Sequence, residues 1–309
     1  MKNIYADIAT NKIIEGKIEI YYDKDYAVIK TLHDSKYYRV SGAAYKQFLN
    51  LPDSEILQFL TRYRERHPKA HTKLGNSVFF KKILTWSGTK SNLPHINCPL
   101  SIMIFVIALG LGFGVFAVNI MTFTTASSGY HISFWILLNI FFHECGHILF
   151  TQAAGREVKE YGVKLNYGFP MFYVDTTDIC MAPLKSRIKV SLAGVFINAL
   201  LALVLYTLLI ANIYNGKRLI VISIFFIFSN LIPFMKLDGY YVLQDLLGIS
   251  NLNTKAAQEL KLLIINKRRY FFNKNKKHIV LLLYGLTSSL FYCIIFISVI
   301  VRLLAYFYG

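Results

Sequence analysis

Acidic residues are scarce in this chain of 309 residues: 17 Asp and Glu stand against 34 Lys and Arg, a formal net charge of +17. Cysteine is scarcer. The four present, Cys98, Cys145, Cys180 and Cys293, show neither a paired metal-ligand spacing nor a disulfide framework. That excludes a cysteine-built zinc module and a stapled secreted domain, and all four read as reduced thiols. No apolar run opens the chain. The first begins near Cys98, too late for a cleavable signal peptide, so the amino-terminal region is expected in the cytoplasm. Internal repeats and low-complexity tracts are also missing, so a repeat architecture is not expected.

Charge of either sign is thin everywhere else. Only 17% of residues are charged, 55% are hydrophobic, and there are 24 Phe and 21 Tyr. A soluble protein of this length is not so apolar. The composition reads as a multi-pass protein of the cell membrane. The basic excess then has a ready explanation, because Lys and Arg collect beside apolar spans on the cytoplasmic side and meet anionic lipid there. Membrane lipid is the expected partner and nucleic acid is not.

The expected fold is mainly α, a polytopic membrane protein with about five transmembrane helices, preceded by a small α+β winged-helix-like cytoplasmic domain. Apolar runs long enough to cross roughly 30 Å of hydrocarbon are expected at about 98–124, 131–154, 188–214, 219–235 and 279–304. They make residues 98–309 a membrane domain. Arg156, Lys159, Lys164, Lys185, Arg187 and Lys189 follow the second span and mark a cytoplasmic loop; Lys217 and Arg218 are the one basic cluster expected outside. Residues Asn251 to His278 carry eight Lys and Arg and are expected at the lipid surface.

The second run, Ile132 to Phe150, is uncharged except for His143-Glu144-Cys145-Gly146-His147. Ionisable residues at membrane depth need a reason. On a helix, histidines four residues apart face the same way one turn apart, and both can reach one Zn²⁺. Glu144 beside them can take a proton from a water activated at the metal, which points to hydrolysis. Cys145 projects to another side of the helix and reads as packing. A catalytic zinc normally needs a third protein ligand. The candidate is Asp238, in the run Asn230-Leu231-Ile232-Pro233-Phe234-Met235-Lys236-Leu237-Asp238-Gly239 that closes the fourth span. Counting crossings brings Asp238 back to the cytoplasmic face, the depth expected of the histidines, and Pro233 suits a break that could turn the carboxylate inward. Asp175 and Asp178 are weaker alternative ligands, and the scattered His67, His71 and His95 read as solvated.

These two motifs together resemble the site-2 proteases, intramembrane zinc metallopeptidases with H-E-x-x-H on one span and N-x-x-P-x-x-x-L-D-G on a later one. The resemblance covers about two thirds of the chain. It implies that His143, His147 and Asp238 bind zinc, that Glu144 is the general base, and that Asn230 positions or polarises the scissile carbonyl. Ser191 to Asn198 is similar to a G-P-x-x-N element of the same enzymes, with Gly194 and Asn198 in place but Val195 where proline is usual, a departure that bears on local helix geometry. Asn198 itself reads as a supporting residue. Phe169 to Asp175 alternates as a strand and looks like the edge hairpin that related enzymes place near the cleft, where an unwound substrate could pair.

Residues 1–66 alternate as strands across Ile18–Tyr22 and Tyr26–Ile29, turning at Asp23-Lys24-Asp25, with a further strand at Tyr37–Val40. Ser41 is expected to cap a short helix through Leu49. Asp53 is expected to cap another, with Ile56, Phe59, Leu60 and Tyr63 at helical spacing. This order of ribbon then helices resembles the domains that bind leader peptides in ribosomally made, modified peptide pathways. A plain cytoplasmic cap is the alternative. Residues 67–97 read as a linker with one amphipathic piece around Val78–Trp86 on the lipid surface.

The expectation is thus a zinc metalloendopeptidase acting near the cytoplasmic face on a membrane-associated peptide or single-span protein. The absence of a periplasmic sensing domain between the spans favours maturation of a secreted peptide over regulated cleavage of a signalling protein. From another class, a non-catalytic peptide exporter or immunity protein would keep zinc only for structure.

Overall fold

The structure is a computed structural model that describes residues 11–14, 18–23, 26–32, 37–66, 80–87, 99–119, 129–166, 169–211, 217–265 and 276–308. Expectations for His67, His71 and His95 fall outside these residues. Residues up to Phe226 make one compact unit and Ile227–Gly309 a second.

The first unit begins with an antiparallel meander of β1 (Asn11–Ile14), β2 (Ile18–Tyr22), β3 (Tyr26–Thr31) and β4 (Tyr37–Ser41), in sheet order β1-β2-β3-β4. Two short helices follow, α1 (Ala43–Leu49) and α2 (Asp53–Arg66). The register pairs Ile20 with Ile29 and Ala27 with Val40, so one face collects Ile18, Ile20, Ile29, Tyr38 and Val40. Phe48, Ile56 and Leu60 from the helices close that core. The expected strands, helices and apolar spacing are all found. The strand β1 was not expected, and the position before α1 belongs to Gly42 (φ 68°), with Ser41 still in β4 and no side chain capping the helix.

The opposite face of this sheet is also covered. It presents Glu19, Tyr21, Tyr26, Val28, Lys30 and Tyr37, and against it lies the segment that joins the apolar helices Gly129–Ala153 and Leu184–Ile210. Arg156 reaches Glu19 at 2.8 Å, and Arg187 donates to the Tyr26 hydroxyl at 2.8 Å. Met181 packs among Tyr21, Tyr26 and Val28. Asp178, 1% exposed, takes Lys30 at 2.7 Å and Tyr37 at 2.6 Å on one oxygen, and Arg156 at 2.8 Å and the Glu157 amide at 3.1 Å on the other. Burial alone would raise the Asp178 pKa, but these donors hold it well below the usual carboxylate range.

The expected linker contributes a strand, β5 (Phe80–Ser87), which pairs with β6 (Glu160–Asn166), itself paired with β7 (Phe169–Asp175). Sequence reading missed it because its partner lies some eighty residues on, and a strand shows its pairing only when the partner is known. The sheet order β5-β6-β7 leaves β7 at an edge, as expected.

Helices α3 (Leu100–Asn119), α4 (Gly129–Ala153), α5 (Leu184–Ile210) and α6 (Lys217–Leu231) complete this part of the chain. A 3₁₀ turn at Thr177–Met181 precedes α5. Helix α5 runs 27 residues without a break through Val195, so the missing proline leaves it straight-through. The second unit holds α7 (Asp238–Leu247), α8 (Leu252–Ile265) and α9 (Lys276–Tyr308), with Tyr240, Leu252, Ala256, Leu281 and Tyr284 as its core. Among the described residues, three helical stretches are long and apolar enough to cross a membrane, Ile132–Ala153, Leu184–Ile210 and Lys277–Tyr306. The described apolar stretches Leu100–Gly110 and Arg218–Leu231 are shorter.

Candidate metal centre

Helix α4 carries the first two candidate ligands. It is built almost wholly of apolar residues and ends where Gly155 takes a left-handed conformation (φ 70°). There the Gly155 amide donates to the Gln152 carbonyl and the Arg156 amide to the Thr151 carbonyl, the paired bonds of a Schellman stop. Two turns earlier, His143 is buried and His147 half-buried. Their Nε2 atoms face each other at 3.2 Å. Two nitrogens about 2.05 Å from a tetrahedral zinc would stand about 3.3 Å apart, so the pair is already spaced for one ion.

Helix α5 fixes both rings from behind. The Val190 carbonyl can only accept, so His147 donates to it through Nδ1–H at 2.8 Å, which leaves the Nε2 lone pair toward the centre. Asn198, wholly buried, brings its side-chain amide to 3.1 Å from His143 Nδ1, and its Oδ1 has no hydrogen-bond partner among the described residues. A half-turn of that amide puts Oδ1 on a protonated Nδ1 and leaves the His143 Nε2 lone pair for a metal. The donor set and the orphaned oxygen therefore both fit a zinc ion.

The closeness of α4 and α5 depends on two glycines. A Cβ on Gly194 would lie 2.4 Å from the His143 ring, and one on Gly146 would lie 2.9 Å from the Ala193 carbonyl oxygen. Gly194 and Asn198, one turn apart, form a cradle for a single imidazole. This gives the G-x-x-x-N spacing in the sequence a physical reason that spacing alone did not supply.

Asp238 is the first residue of α7, after the non-helical stretch Ile232–Leu237. One ligand atom from each of His143, His147 and Asp238 can be chosen so that all lie within 4.8 Å of one another. Glu144 and Asn230 are both half-buried, Glu144 beside His143 on α4 and Asn230 in the last turn of α6. The alternative ligands are engaged elsewhere. Asp178 is enclosed by its ion pairs, and Asp175 accepts from the Thr177 amide at 2.9 Å and from the Thr177 hydroxyl. Cys180 is no reactive thiol either, since burial pushes its pKa up to about 12.

The edge strand β7 lies against α4, where Phe172 packs edge-on to Phe141 with ring centres 5.5 Å apart. Phe141 is two residues before His143. The edge strand of the hairpin is thereby tied to the helix that carries the two candidate histidines.

The chain is similar to a Bacillus subtilis (strain 168) protein named "Putative peptide zinc metalloprotease protein YydH", with 28% identity over 240 residues that span 75% of this chain and 85% of the relative. No family model matches the chain, and no solved structure matches it significantly. The relative's name and the close group of two histidines and an aspartate together support a zinc metalloprotease at the general level.

Proposed function

We propose that the protein is an intramembrane zinc endopeptidase of the site-2 type, with His143, His147 and Asp238 as the metal ligands. The observation that carries this reading is the grouping of those three side chains, two of them already oriented by α5. Zinc held there would supply Lewis acidity, lowering the pKa of a water toward about 7 and polarising a peptide carbonyl. Glu144 is the general base that accepts the proton of the attacking water and returns it to the leaving amine. Asn230 donates to the carbonyl oxygen as charge builds on it, an electrostatic role of the kind worth about 10²–10³ in rate.

The substrate is a membrane-associated peptide presented in extended form. A helix hides its carbonyls in its own hydrogen bonds, so the segment to be cut must unwind, and β7, the last strand in the sheet order, is where it pairs. Five spans put the amino terminus and the metal near the cytoplasmic face, where the basic connecting segments lie. The amino-terminal sheet and helices recognise the leader of a ribosomally made peptide, and the reaction matures that peptide for secretion.

Replacing Glu144 with Gln tests the chemistry. Zinc content should stay at the parental level while cleavage is abolished, and comparing peptides from cells carrying either form should reveal the uncut precursor. A variant that cuts at the parental rate would refute the assigned base.

A further inference from the structure

The third candidate ligand stands at the end of a stretch that has no helix of its own. Helix α6 stops at Leu231, and Pro233 has no amide hydrogen to give. The carbonyls of Pro233 and Phe234 lie outside any helical ladder. At membrane depth, non-helical backbone persists only where its polar groups find partners inside the protein.

Both carbonyls find them on α9. The Tyr284 hydroxyl donates to the Pro233 carbonyl at 3.0 Å, and the Tyr292 hydroxyl donates to the Phe234 carbonyl at 2.8 Å. Tyr284 also meets the Asn253 side chain, which ties the same hydroxyl to the start of α8. Between the two bonds, the Phe234 ring packs on Tyr284 and Phe291, with centres 5.8 and 5.2 Å apart. Downstream, a Cβ on Gly239 would lie 2.2 Å from the Leu231 carbonyl oxygen, so the first turn of α7 is pressed onto the end of α6. The stretch from 232 to 237 is held by two hydroxyls on one side and by this close approach on the other.

We propose that Tyr284 and Tyr292 are positioning residues that fix where the Asp238 carboxylate stands, by clamping the two carbonyls of the broken segment before it. The proposal rests on the reading of Asp238 as a metal ligand. The hydroxyls touch neither metal nor substrate; they act through the backbone. The Tyr284→Phe/Tyr292→Phe double variant removes only the two oxygens and keeps both rings, that of Tyr284 against Phe234 and that of Tyr292 against Phe291.

The test is zinc affinity of the full-length protein, measured by competition with a chromogenic chelator, together with the thermal midpoint of the metal-free form. The double variant should bind zinc at least about 10-fold more weakly, the range seen when supporting partners of metal ligands are removed. Asp238→Ala alone should also weaken binding, and adding the two Tyr→Phe changes to it should cost nothing more. Parental zinc affinity in the Tyr variant, with Asp238→Ala impaired, overturns the clamp alone. An equal further loss in the Asp238→Ala background, or a loss explained by a fallen midpoint of the metal-free form, shows that the tyrosines merely hold the fold and also overturns it. Parental affinity in Asp238→Ala overturns the ligand assignment itself.

Discussion

Gly194→Ala is the sharpest single perturbation of the centre. The added Cβ would stand 2.4 Å from both Cε1 and Nε2 of His143, where ordinary contact needs at least 3.4 Å. The ring must therefore retreat by about 1 Å, and it has nowhere easy to go. Asn198 holds its Nδ1 side at 3.1 Å and His147 Nε2 faces it at 3.2 Å. A displacement of about 1 Å at a reacting centre costs on the order of 10²-fold in rate, and loosening a ligand's support costs about 10–100-fold in metal affinity. Gly110→Ala is the matched control, because its Cβ would meet Ala199 on the same helix α5 at 3.0 Å without touching either imidazole. Chelator competition and peptide cleavage should both fall by about two orders of magnitude in Gly194→Ala. In Gly110→Ala only the thermal midpoint should fall. Parental zinc affinity in Gly194→Ala, or an equal loss of affinity in Gly110→Ala, would refute the cradle.

Asn198→Ala should weaken zinc binding about 10-fold or more, and Asn198→Asp, which keeps an acceptor for His143 Nδ1–H, should recover most of the loss in the same chelator assay. Asp178→Ala takes their shared anion from Lys30 and Arg156, which keep Glu157 and Glu19 as partners; the donors left unsatisfied cost about 1–3 kcal/mol, which should appear as a lowered unfolding midpoint or as proteolysis of the amino-terminal sheet. Because the folded Asp178 pKa is depressed, its contribution is full at neutral pH and is lost on acidification below the ordinary carboxylate value of about 3.9; the stability of Asp178→Asn should fall less steeply there than that of the parent. Gly239→Ala should lower zinc affinity, since its Cβ would meet the Leu231 carbonyl oxygen, backbone that cannot swing aside.

The candidate group of two histidines and an aspartate could be picked out of the sequence because each member stands out against its surroundings. A histidine pair inside an uncharged run and an aspartate after a proline break are conspicuous where lipid removes the ordinary explanation for polar residues. What orients those side chains was not legible. Val190 contributes only its backbone carbonyl, which every residue has, and Tyr284 and Tyr292 are two among the 21 tyrosines of the chain. Supporting hydrogen bonds are made by common groups at places set by tertiary structure, so no spacing rule selects them. Gly194 and Asn198 were visible as a motif, yet their purpose needed the 2.4 Å clearance to His143.

The amino-terminal sheet shows a different limit. Strand alternation puts Ile18, Ile20 and Ile29 on one side, which the structure buries as core, and leaves Glu19, Lys30 and Tyr37 on a side that periodicity alone would give to water. Periodicity reports which side chains are apolar; it cannot report that a complementary polar surface waits opposite the others. Here Arg156 and Asp178 are that surface, carried on the segments that leave α4 and approach α5, and Lys30 ends 6% exposed. Burial by itself would lower the Lys30 pKa, but the hydrogen bonds to Asp178 and Glu157 reverse the direction, so the pair stays charged. In an interface made this way the loss of Asp178 leaves buried donors on both Lys30 and Arg156 short of an acceptor, whereas an apolar face would lose only area. Charge matching therefore joins the sheet to the segment just beyond the two histidines, with Met181 buried among Tyr21, Tyr26 and Val28.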